Sequence, residues 1–148
     1  MCEVRFYHLV RISQEQVVPK LLELTLQRGK KAIVRCGSPQ AVQFWQERLW
    51  LYADQSFLPH GSGNDPMAQD QPVWITDQED NPNNASYEFL LDGVEYKERG
   101  QERSAVIFDG RDETALEQAR KQWKALQGGD FKLSYWQQNN KGIWEQKS

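Results

Sequence analysis

The chain has 148 residues, room for one domain built on one core, with 39% hydrophobic and 26% charged residues. Its formal charge of −3 excludes a globally basic footprint for nucleic acid, so no direct nucleic-acid binding is expected. Two cysteines, Cys2 and Cys36, are too few for a zinc site or a disulfide framework, and no apolar run approaches the roughly 18 residues of a membrane span.

Charges at Glu3 and Arg5 argue against a signal peptide, and a soluble, cytoplasmic protein is expected. Val4 and Phe6 alternate with Arg5 and Tyr7, which predicts an opening strand over Glu3–Leu9 with His8 inside it. Ser13 with Gln16 three positions on has capping-box spacing. Val17, Leu21, Leu24 and Leu26 then mark the apolar face of a helix that ends at Arg28 and Gly29, with Pro19 near its start. Ala32-Ile33-Val34-Arg35-Cys36 is β-branched enough for a central parallel strand. Ser38 followed by Pro39 starts a second helix carrying Ala41, Phe44, Trp45 and Leu49.

Arg48 to Gly61 is too aromatic for an ordinary loop and too broken by Asp54, Ser56, Pro59 and Gly61 for one regular element. Trp50 and Phe57 either plug a core or anchor a partner, because buried aromatic area dominates both kinds of contact. Gly61 to Gln71 reads as a surface loop and Val73–Thr76 as a strand. Asp77 to Asn84 reads as a poorly ordered loop. Tyr87–Leu91 and Ala105–Phe108 are further strands, joined by a charged segment from Glu95 to Arg103.

Asp112 to Gln127 is the strongest helix, acidic in its first turns, basic in its second half and closed by Gly128-Gly129. Phe131, Leu133 and Tyr135 alternate as a last strand. The alternation of strands and helices predicts an α/β three-layer sandwich with a mostly parallel, Rossmann-like sheet. It forms a single domain over residues 1–136, followed by a polar tail over 137–148 in which Trp144 is isolated.

Motifs for chemistry are sparse. No G-x-x-x-x-G-K-[ST] or strand-linked G-x-G-x-x-G occurs, and Gly61-x-Gly63 precedes no helix. Asp109 ends an apolar strand, where α/β enzymes often place a carboxylate. It is the centre of the alternative reading, a degenerate nucleotide-binding hydrolase, against the simpler one of a turn into the next helix. His8 and His60 have no nucleophile or orienting partner in evidence, so no catalytic residue, cofactor or metal is assigned. Arg120, Trp123 and Lys124 are spaced to share one helix face. An aromatic between two cations suits an acidic peptide with an apolar residue; a solvated helix end with Trp123 half buried is the plainer explanation.

Four stretches together resemble the chi subunit of bacterial DNA polymerase III. They are the Phe6-Tyr7 strand, Gly29-Lys30-Lys31-Ala32-Ile33-Val34-Arg35-Cys36, the Leu49-Trp50 to Ser56-Phe57-Leu58-Pro59-His60-Gly61 segment, and Ala119-Arg120 with Trp123-Lys124. The resemblance implies a non-catalytic clamp-loader subunit of the polymerase holoenzyme. Its partners would be the psi subunit and the acidic, Pro-Phe-ended tail of single-stranded DNA-binding protein; a repair helicase is a further partner that the same faces would admit. It places Trp50, Phe57, Pro59 and His60 at the psi surface, and Arg120, Trp123 and Lys124 at the tail surface. Trp123 stands where relatives often carry tyrosine, and Leu116 where some carry a base.

Overall fold

The computed structural model describes residues 3–53, 61–62, 72–91, 93–97, 100–129 and 131–148. Three helices and eight strands follow the order β1 (Glu3–Leu9), α1 (Gln14–Gln27), β2 (Ala32–Arg35), α2 (Pro39–Ala53), β3 (Gly61–Ser62), β4 (Val73–Thr76), β5 (Tyr87–Leu90), β6 (Arg103–Asp109), α3 (Glu113–Leu126), β7 (Lys132–Gln138) and β8 (Trp144–Gln146). One sheet holds them all in the order β3-β4-β2-β5-β6-β1-β7-β8. Every pairing is parallel except that of β8 with β7.

The layering follows from the apolar pattern. Tyr7 and Leu9 of β1, Val34 of β2 and Ile75 of β4 point to one face, where Val17, Val18 and Leu22 of α1 and Trp45 and Leu49 of α2 cover them. Val4, Phe6, Val106 and Phe108 point to the other face and pack under Ala119 of α3. The result is the expected three-layer sandwich, with β2, β4 and β5 buried along their whole length as covered parallel strands must be.

The helix ends form as their sequences predict. Gln16 Oε1 accepts from the Ser13 backbone N–H at 3.1 Å. Ser38 Oγ accepts from Ala41 N at 3.1 Å. Asp112 takes the backbone N–H groups of Thr114 and Ala115 at 3.0 and 3.3 Å. Gly29 and Gly128 both adopt left-handed φ, +74° and +82°, just past their helices.

Four expectations need correction. Leu24 and Phe44 are not core residues: they are 52% and 42% exposed. The buried stripe of α1 runs through Val17, Val18, Leu22 and Thr25, so Leu24 falls beside it. The loop after β4 is not poorly ordered. Asn81 both accepts from Ala85 N and donates to Ala85 O, at 2.8 and 3.0 Å, and Asn83 donates to Ala32 O across the sheet at 3.1 Å. Within Gly61–Gln71, Gly61–Ser62 is a short edge strand on β4. The segment from residue 137 is not featureless either, since β7 reaches Gln138 and β8 folds back on it. Trp144 there meets the Tyr7 ring edge-to-face at 5.0 Å.

A buried polar network holds the loops over the sheet face that α3 leaves uncovered. Arg35 and Glu88 are 3% and 2% exposed and their side chains meet at 2.9 Å. Arg35 Nη1 also donates to the carbonyls of Gln78 and Asp80, at 3.0 and 2.9 Å. Glu88 Oε1 accepts from Gln101 at 2.9 Å and from Ser104 at 2.8 Å. Each charge thus has further hydrogen bonds, the condition under which a buried pair is tolerated.

Candidate functional site

Helix α3 turns two sides outward and one inward. Leu116, Ala119, Trp123 and Leu126 recur every three or four residues and pack toward the sheet. Arg120 and Lys124 lie beside that stripe, both exposed, with Trp123 half-buried between them. Trp123 stands edge-on to Phe6 at 5.3 Å and to Tyr135 at 5.4 Å. It therefore helps hold α3 to the sheet and still offers part of its ring to solvent. This is the half-buried ring of the plainer explanation. Leu116 is apolar and packed toward the core.

Two residues that the sequence did not connect with this helix belong to the same place. Tyr135 on β7 and His8 on β1 share a 2.6 Å hydrogen bond between the phenol oxygen and imidazole Nδ1. Burial, with the Arg120 charge adding to it, lowers the His8 pKa, and Asp109 opposes this weakly. Burial raises the Tyr135 pKa, while Arg120 pulls it back. Arg120 is thus electrostatically coupled to both rings, and the cluster is a cation set above neutral aromatic groups. Among the described residues Arg120 and Lys124 have no acidic partner within ion-pair distance. His8 lies on the same side of β1 as Val4 and Phe6 and is satisfied by the Tyr135 hydroxyl; the sequence did not reveal Tyr135 as its partner.

In a doubly wound sheet a nucleotide would sit where the strand order reverses. The topology reverses between β1 and β6, since α1 leads from β1 toward β2 and α3 leads from β6 toward β7. There Gly110 N donates to Leu9 O at 2.7 Å, and a β-carbon placed on Gly110 would collide with the His8 imidazole. Asp109 beside it is bound by the backbone N–H and Nε of Arg111, at 2.9 and 3.0 Å. Those hydrogen bonds lower its pKa, which makes its carboxylate a weaker base. Among the described residues no group of three or more His, Cys, Asp or Glu side chains is placed to hold a metal ion.

The second predicted surface is only partly described. Trp50 lies in the backbone of α2, and Phe57, Pro59 and His60 lie outside the described residues. On the described part of α2, Phe44 is exposed with the Arg48 guanidinium 5.8 Å from its ring centre. No helix among the described residues is long and apolar enough to cross a membrane.

Comparison with known proteins places these features in context. A family model described as "DNA polymerase III chi subunit, HolC" matches residues 1–134. A protein of Rickettsia prowazekii (strain Madrid E), named "Probable DNA polymerase III subunit chi", is 31% identical over 86 residues, 58% of this chain. The matched part spans about half of that relative, 52% of its length.

Proposed function

Because the chain belongs to the DNA polymerase III chi subunit family, we propose that it is a non-catalytic accessory subunit of the replicative clamp loader, joining psi to single-stranded DNA-binding protein. The observation that carries this proposal is the α3 face, where Arg120 and Lys124 flank a half-exposed Trp123 with no acid of the described chain satisfying them. Two cations beside an aromatic wall fit a tail that is acidic and ends in an apolar ring. A chain of net charge −3 would be repelled by DNA, so a protein tail is the better-matched ligand. The segment that continues α2, with Trp50, Phe57, Pro59 and His60, is assigned to psi.

Calorimetry with an acidic, Phe-ended peptide tests the first surface. Arg120→Ala should weaken binding by ~1–3 kcal/mol, the usual loss for a charge-assisted contact. Unchanged affinity would remove the site. For the second surface, Phe57→Ala should abolish co-purification with psi while the melting temperature holds; a variant that unfolds would make the segment a core plug.

A further inference from the structure

On the sheet face opposite α3 lies a groove of about 160 Å³ between the second half of α1 and strands β1, β7 and β8. Its walls are rings and its rim is cationic. Arg5 lies over the Trp136 ring at 5.1 Å, and Arg103 over the Tyr87 ring at 4.8 Å. Trp144 and Arg28, the C-cap residue of α1, line it as well. Three guanidiniums line the groove; Glu88 also borders it, its carboxylate bound to Arg35, and Glu3 bridges Arg5 at 3.2 Å and Arg103 at 2.6 Å. Both bridges use the Nε edge, so the η-nitrogens of Arg103 and the whole Arg28 side chain make no hydrogen bond or ion pair among the described residues. The exposed Leu24 lies on the same wall.

We propose that this groove is a second peptide-docking site, taking an aromatic side chain flanked by one or two carboxylates from a partner protein. The ring would insert among Tyr87, Trp136 and Trp144, and the carboxylates would meet Arg28 and Arg103. Charge decides between this occupant and a nucleic acid. The chain's net charge of −3 disfavours a continuous phosphodiester chain, whereas a short segment brings only one or two carboxylates to the guanidiniums. The site stands on its own residues; none of them belongs to the α3 surface.

The test uses the full chain with ¹⁵N-labelled tryptophan indoles, assigned by Trp→Phe variants, titrated with acetyl-Asp-Asp-Phe. Saturable shifts are expected at Trp136 and Trp144. Arg28→Glu, at an exposed helix-end position, should weaken them roughly tenfold, as charge reversal at a contact does, and Leu24→Glu should weaken them independently. Arg120→Ala should leave them unchanged, so this site and the α3 surface fail or survive separately. Shifts confined to Trp123, Trp136 and Trp144 shifts that do not saturate, or displacement of the peptide from the groove by an oligothymidylate at lower concentration than by a second peptide would each overturn the proposal.

Discussion

His8 joins two properties that rarely meet in one residue, since its ring packs with Phe108 at 5.1 Å while Nδ1 bonds the Tyr135 hydroxyl. Its pKa in the folded chain lies below the ordinary value of 6.5, through burial first and Arg120 second. The unfolded chain therefore takes up a proton more readily than the folded one. The stabilising contribution is fully present above pH 6.5 and is lost as pH falls through the folded-state pKa. Melting temperature should fall on acidification across that window, and His8→Gln should flatten the fall; an unaltered pH profile would show that another group sets it. Glu88 offers a different test. Glu88→Ala leaves the Arg35 guanidinium buried without its carboxylate and should cost about 3–5 kcal/mol by urea denaturation, whereas Arg35→Met with Glu88→Leu should cost much less. Arg35 and Glu88 were legible as charges inside apolar strands. Their partnership was not, because it joins positions 35 and 88 through a strand order that no local pattern states.

Elements declared themselves where local chemistry is decisive. Helix α3 was plain from its acidic start, basic second half and double glycine, and the structure begins it one residue after the Asp112 cap. Asp112→Ala should lower stability by about 1 kcal/mol, since two helix-end N–H groups lose their acceptor. The apolar face of α1 was misplaced, with Leu24 put inside, because a leucine-rich helix offers several stripes and only the packed sheet selects one. That Arg120, Trp123 and Lys124 share one face was legible from spacing alone; a tail as its ligand came only from the resemblance. Its floor at Tyr135 was hidden because β7 lies against β1 only in space. Strand β8 escaped notice for a similar reason, being three residues long and polar except for Trp144. Trp144→Ala should cost about 1–2 kcal/mol in chemical denaturation, reflecting a half-buried ring packed on Tyr7.

At the scale of the molecule, α2 packs on β3 and β4 while α3 packs on the opposite face near β6 and β1. Strands β4 and β1 are four spacings apart in the sheet, about 19 Å. Partners at the two proposed surfaces should not compete, and psi should leave the affinity for the acidic peptide unchanged within twofold in calorimetry. Peptide binding should also weaken steeply between low and physiological salt, where screening acts over ~8 Å, while the more apolar psi contact should hold. The position of β1 between β6 and β7 carries a last consequence. Strand β1 is made well before its neighbours, which lie at residues 103–109 and 132–138. Such distant pairing delays loop closure and slows folding. A nascent chain halted before Arg103 would therefore leave β1 unpaired and open to protease, and protection should arrive abruptly as β6 and β7 emerge.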